Sequence, residues 1–247
     1  MLAYTYVKKG KFAFCLISIG TMLLTGCAKQ KNDTSISQSQ EPDSVAPVSV
    51  PPPSEIAEKP VLTIFDKLAN NMVYVEKDSG AFYICKYEVT QQLWSEVMGE
   101  NPSQMQGDDL PVEQVSWDDC QVFIGKLNKL TGKNYRLPAE EEWEFACRGG
   151  KCSKGYNFSG SDNLDEVAWY DGNSEGKTHP VGQKLPNELG LYDMNGNVWE
   201  LCQNMHGASR VCRGGSWIHN ARNCDPSLDN ETPQSFKINS LGLRLAL

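Results

Sequence analysis

Two stretches hold most of the side chains able to do chemistry. The first is Gly190-Leu191-Tyr192-Asp193-Met194-Asn195-Gly196-Asn197-Val198-Trp199-Glu200, which combines carboxylates with glycine turns. Such a loop suits a hard cation, because Ca2+ takes six to eight oxygens and accepts carboxylates and carbonyls together. The second is Arg213-Gly214-Gly215-Ser216-Trp217, followed by a polar stretch that holds His219 and Cys224 and closes on the apolar run Leu241 to Leu247. A hydroxyl, an imidazole and a thiol therefore lie close along the chain. No Ser/His/Asp order or His-Glu metalloprotease motif accompanies them, so hydrolysis has no support. A lone histidine beside Trp217 is more often a packing residue than a ligand, and His179 and His206 lie far from it along the chain.

Other candidates are weaker. Glu140, Glu141, Glu142 and Glu144 read as the solvated first turn of a helix, where acids suit the dipole. Gly149 to Gly155 does not match the phosphate-binding GxxxxGK[ST] pattern. Seven cysteines follow Cys27 (Cys85, Cys120, Cys147, Cys152, Cys202, Cys212 and Cys224) without a CxxC pair, which disfavours structural zinc. In an exported chain they allow up to three disulfides of undetermined pairing, Cys212 with Cys224 among them.

The elements that must position these residues begin with two strands, Asn71 to Val75 and Phe82 to Val89, separated by Asp78-Ser79-Gly80 turn chemistry. Thr90 caps a helix with the apolar stripe Leu93, Trp94, Val97 and Met98, which Gly99 stops. Ser116 to Asp119 fits a capping box, and the helix after it is expected to bury Cys120, Phe123, Ile124, Leu127 and Leu130 before Gly132. Pro138 opens a shorter helix from Ala139 to Arg148. From Ser159 onward regular structure thins, and long irregular stretches in compact domains are usually functional or held by something extra such as metal. The pattern predicts an α+β domain with high loop content.

The beginning of the chain reads differently. Residues 1–26 have a basic start (Lys8, Lys9, Lys11) and an apolar run from Phe12 to Leu24, the layout of an export signal. Leu23-Leu24-Thr25-Gly26-Cys27 resembles the bacterial lipobox, which makes Cys27 the expected lipidation site and the membrane a partner through that anchor. Ala28 favours an outer-membrane or cell-surface location. Residues 27–60 are rich in Ser, Gln, Glu and Pro and form an expected disordered tether. That leaves 61–247 as one domain, expected to be a monomer. The net charge of −8 and the absence of a basic patch argue against nucleic acid.

An ordered series of motifs then identifies a relationship. Lys86-Tyr87-Glu88-Val89-Thr90, Val115-Ser116-Trp117, Tyr135-Arg136-Leu137-Pro138, Glu142-Trp143-Glu144-Phe145-Ala146, His179-Pro180-Val181-Gly182, Gly196-Asn197-Val198-Trp199-Glu200, Arg213-Gly214-Gly215-Ser216-Trp217 and Leu241-Gly242-Leu243-Arg244 follow one another. Together they resemble the sulfatase-modifying-factor (formylglycine-generating enzyme) family, from Asn71 to Leu247. The resemblance implies a C-type-lectin-like fold stabilised by Ca2+, with Asp193, Gly196, Val198 and Glu200 as its ligands.

In that family the enzymes oxidise a substrate cysteine with copper held by two cysteines, and soft Cu(I) favours such a thiolate pair. The matching positions here are His219 and Cys224, while Ser216 matches an active-site serine. The imidazole replaces one thiolate and argues against oxidation. Two further departures are Asp229, at the position partnering Cys147, and Leu245, at a cysteine position of the closing strand. The alternative is a binding module. Its ligand, a protein or another surface molecule, meets Trp217, Ile218, His219, Asn220, Asp225, Leu228, Asn230, Phe236, Ile238 and Asn239. That arrangement is similar to the variable proteins of diversity-generating retroelements. A structural cell-envelope lipoprotein is the third reading.

Overall fold

The computed structural model describes residues 63–247, so the expected signal, the Cys27 lipidation site and the tether lie outside the described residues. The compact unit runs Val61–Leu247. Thr63 caps α1 (Ile64–Asn70), a short helix not anticipated from the sequence. The antiparallel hairpin β1 (Met72–Lys77) and β2 (Gly80–Cys85) follows, in register from Met72 opposite Cys85 to Lys77 opposite Gly80.

The two amphipathic helices form where expected. The Thr90 hydroxyl accepts from the Leu93 amide at the start of α2 (Gln91–Met98), which Gly99 ends in a left-handed turn at φ 83°. The Ser116 and Asp119 side chains exchange bonds with each other's backbone amides at 3.2 and 2.9 Å, opening α3 (Trp117–Thr131). Trp94 of α2 stacks on Phe123 of α3 with ring centroids 4.7 Å apart. Leu130 departs from expectation: it is 59% exposed, although Cys120, Phe123, Ile124 and Leu127 on the same stripe are buried. It sits one residue before the helix ends.

After α4 (Glu140–Cys147) and a one-turn helix at Gly150–Cys152, the chain forms α5 (Leu164–Val167), β3 (Ala168–Trp169) and β4 (Asn195–Gly196). The expectation of thinning structure past Ser159 is only partly right, because the main sheet is built from this region. It contains β5 (Trp199–His206), β6 (Ser209–Arg213), β7 (Asp229–Pro233) and β8 (Leu241–Leu243), in the order β7-β6-β5-β8. β5 pairs parallel to β8 and antiparallel to β6. Trp199, Glu200, Leu201 and Cys202 are all buried, so β5 is covered on both faces and shows no polar/apolar alternation.

The last residues lock the unit together. The amides of Cys85 and Val89 donate to Leu245 and Leu243, and Arg136 exchanges two backbone bonds with Ala246. One core cluster joins α2 and α3 to β5, β6 and β8, and a second joins the β1–β2 hairpin to α4. A third, smaller cluster gathers Leu164, Val167, Ala168 and Cys224.

Candidate functional site

The 190–200 loop is a buried electrostatic knot. Asp193 and Asn197 adopt left-handed backbone at φ 55° and 56°, uncommon for side chains other than glycine. Gly196 must be glycine, since a Cβ there would lie 2.1 Å from the Trp169 carbonyl oxygen. Asp193 accepts the Gly182 amide at 2.7 Å through Oδ2, while its buried Oδ1 has no partner. Burial pushes its carboxyl up to about 6. Glu88 accepts from the Val198 amide (3.1 Å) and Asn197 Nδ2 (2.7 Å); burial, then the neighbouring Asp193 charge, pushes it well above the ordinary value.

Glu200 is differently engaged. Its oxygens accept from Arg244 Nε (2.9 and 3.1 Å), Arg244 Nη2 (2.6 Å) and Trp143 Nε1 (2.6 Å). Arg244 also donates to the Cys85 and Tyr192 carbonyls, tying β8 to β2 and to the loop. Of the oxygen ligands expected for Ca2+, Asp193 therefore keeps an open site and Glu200 has spent its lone pairs. Three buried carboxylates, Glu88, Asp193 and Glu200, lie around one guanidinium here. The donor set fits a hard cation at the Asp193 end and not at the Glu200 end.

The second stretch turns inward after β6. Gly214 and Gly215 have φ 98° and 82°, and a Cβ on Gly215 would lie 2.7 Å from the Asn223 carbonyl. This turn buries Ser216 and Trp217. Ser216 Oγ lies 2.6 Å from His219 Nδ1, and Trp199 Nε1 donates to the same nitrogen at 3.3 Å. An indole N–H can only donate, so Nδ1 is the acceptor and the ring proton sits on Nε2. Burial holds His219 below the ordinary imidazole value, against an opposing pull from Asp171.

Four of the expected contact residues converge on one cleft of about 130 Å³. His219, Asn230, Phe236 and Ile238 line it beside Trp199, Cys212 and Leu241. Ile218, Phe236 and Ile238 stand 51%, 46% and 38% exposed, large apolar side chains facing water. The others have different roles. Trp217 is buried and donates to the Asn239 carbonyl at 2.9 Å, and Leu228 packs against the main core. Asn220 caps the Ala221–Cys224 turn, Asp225 holds Ser227, and Asn239 Nδ2 bonds Gln104.

Cys224 is wholly buried in the small third cluster, and burial pushes its thiol up to about 12. Neither it nor Cys212 is bridged, so that possible pairing is absent. The acidic turn of α4 also differs from the solvated role expected of it. Glu140 and Glu144 hold Arg213, itself 2% exposed, at 3.2 and 2.6 Å, and Glu142 pairs with Arg136. Sequence reasoning also missed a larger hollow of about 430 Å³ lined by Ile64, Leu68, Glu88, Leu93, Pro180 and Val181, among others. No motif marks it, because its walls come from segments distant along the chain.

The folded unit is thus an α+β, C-type-lectin-like scaffold whose irregular C-terminal part carries the candidate surface. The profile of the sulfatase-modifying factor enzyme 1-like domain matches residues 70–247, and the chain belongs to that family. It is 35% identical over 218 residues to the chaperone protein LppX of Paenibacillus barcinonensis, covering 65% of this chain and 76% of the relative. It is 33% identical over 147 residues to the inactive C-alpha-formylglycine-generating enzyme 2 of Bos taurus (54% and 47% covered). It is 31% identical over 171 residues to the formylglycine-generating enzyme of Streptomyces coelicolor (55% and 52% covered). The chain spans about half the length of these last two relatives. Among solved structures, Treponema denticola variable protein 1 superposes with a TM-score of 0.63 at 30% identity, over 71% of this chain and 91% of that one.

Proposed function

We propose that this protein is an exported, lipid-anchored binding module that recognises a protein ligand through segment 218–240 and does not carry out copper oxidation. The observation that carries the reading is the chemical state of the residues at the copper positions. Cys224 is sealed among Leu164, Val167 and Ala168, and the imidazole of His219 stands where the second thiolate of a copper pair would be. His219 Nδ1 is already occupied by Ser216 and Trp199. The exposed Ile218, Phe236 and Ile238 around the cleft favour a protein partner, since apolar anchors in a pocket dominate such interfaces. The names of the chaperone relative and the inactive enzyme relative support the same direction. Export and anchoring rest on Leu23 to Cys27, and an outer-membrane or surface position on Ala28. Ca2+ at Asp193 is proposed as a resident, structural ion.

The first test is Cu(I) binding and oxygen consumption with a cysteine-containing peptide, wild type beside His219→Cys. The expected result for wild type is neither. Tight copper binding with peptide-dependent oxygen uptake by wild type overturns the reading. The surface is tested by capture of cell-envelope proteins on the purified chain. Replacing Phe236 and Ile238 by serine is expected to abolish capture and leave the melting temperature within a few degrees. If Val181→Asp removes capture and the serine variant does not, recognition belongs to the larger hollow. Should segment 218–240 be diversified, a near-copy of its coding sequence and a reverse-transcriptase gene lie beside it; their absence removes that part.

A further inference from the structure

A histidine and three carboxylates from three elements meet on the far side of Arg213, outside both stretches described above. His206 ends β5, Asp229 and Glu231 stand two apart on β7, and Glu140 opens α4. His206 Nε2 lies 3.5 Å from Glu140 Oε2, and its Nδ1 lies 3.4 Å from both Asp229 Oδ2 and Glu231 Oε1. One ligand atom each from Glu140, His206 and Asp229 fall within 4.8 Å of one another.

These separations do not describe hydrogen bonds well. Charge-assisted bonds close to about 2.7–2.9 Å, and one ring nitrogen has a single N–H for the two carboxylates facing it. With His206 bound through Nε2, Glu140 Oε2 at 3.5 Å matches the spacing of ligands around one ion, and an Asp229 oxygen lies within 4.8 Å of a Glu140 oxygen. Zn2+ binds nitrogen and oxygen at about 2.0–2.2 Å, and tetrahedral geometry then sets ligand atoms roughly 3.3–3.6 Å apart. The imidazole arrangement agrees independently. A metal-bound histidine gives one nitrogen to the ion and the other N–H to a carboxylate; with Nε2 on the ion, Nδ1 faces Glu231 at 3.4 Å.

Charge points the same way. Glu140 Oε1 is held by Arg213 Nη1 at 3.2 Å, which leaves Oε2 directed at His206. Arg213 is shared with Glu144, so Asp229 and Glu231 have no guanidinium or ammonium partner among the ion pairs of the described residues. The side chains are 17%, 43% and 39% exposed for Glu140, His206 and Asp229, partly covered yet open to an entering ion.

We propose that Glu140, His206 and Asp229 form a site for a divalent transition-metal ion of the Zn2+ type, with Glu231 as a third carboxylate beside it. One imidazole with carboxylates and no thiolate selects Zn2+, Co2+ or Mn2+ over Cu(I). The site clasps the end of β5 to β7 and α4. Asn230 and Glu231 also line the cleft, so the ion stiffens one of its walls.

The test uses the full chain stripped with chelator and titrated with Zn2+ by calorimetry and with Co2+ by visible absorption. One equivalent is expected, with a cobalt d–d band. His206→Ala and Asp229→Asn are each expected to weaken Zn2+ binding tenfold or more and to remove the band, whereas Glu96→Gln, on the exposed side of α2, leaves both unchanged. Asp229→Asn keeps the shape of an exposed side chain and serves by itself if His206→Ala does not fold. Absence of Zn2+ binding at millimolar concentration, or binding unaltered in a folded Asp229→Asn variant, overturns the proposal.

Discussion

Arg244→Ala tests how this fold holds its irregular half. Arg244 and Glu200 are 0% and 1% exposed at their side chains, and they meet through three guanidinium bonds of 2.6–3.1 Å. Removing one partner of such a pair leaves the other charge buried and uncompensated, which costs about 3–5 kcal/mol. The Cys85 and Tyr192 carbonyls lose their donor as well, so the upper part of that range is expected. For a domain of this size each kcal/mol shifts the midpoint by about 2–4 °C, which places the variant roughly 8–20 °C below wild type. The assay is thermal unfolding followed by circular dichroism, with urea titration to show that the slope of the transition is unchanged. Arg244→Lys keeps the charge without the planar fork and is expected to recover only part of the loss. Arg244→Met combined with Glu200→Leu, which removes both charges, is expected to be far less damaging than either single change. A midpoint for Arg244→Ala within 2 °C of wild type refutes the view that this ion pair fastens β8 to the loop.

Further expectations follow from the same physics. Saturating Ca2+, at a hundredfold excess over Kd, is expected to stabilise the protein by about 2.7 kcal/mol, and Asp193→Asn to abolish the gain; an unchanged melting curve removes Asp193 as a ligand. Burial alone would raise the Glu142 carboxyl, yet its bonds to Arg136 and to the Ala139 amide hold it below the ordinary 4.5. Its contribution is therefore present above pH 4.5 and lost as the pH falls through the lowered value. Glu142→Gln is expected to flatten stability over that acid range, and an unaltered acid profile counts against the pair. Ser116→Ala removes half of the capping box of α3 and is expected to cost about 1 kcal/mol in urea unfolding, with Thr131→Ala at the far end as a milder comparison.

Local elements were legible in the sequence because their causes are local. Thr90, Ser116, Gly99 and Gly132 bound α2 and α3 as a cap or a left-handed glycine does wherever the chain runs. The ordered motifs likewise revealed the family, and Gly214-Gly215 marked the turn that buries Ser216 and Trp217. The sequence also pointed to His219, Asn230, Phe236 and Ile238, four residues that line one cleft. What stayed hidden depends on partners remote in the chain. β5 has no alternating pattern because both of its faces are covered, so Trp199 to Cys202 did not read as a strand. Glu200 looked like a free cation ligand until Arg244 and Trp143 were brought onto its oxygens. Glu140 and Glu144 looked solvated until Arg213 was folded beneath them. The thiol of Cys224 and the imidazole of His219 are set by burial and by neighbours. The sequence by itself thus determined α2, α3 and α4, the turns that bound them and the family. Only tertiary packing decided which charges are paired and which side chains face the cleft, because desolvation and pairing arise from contacts between distant segments.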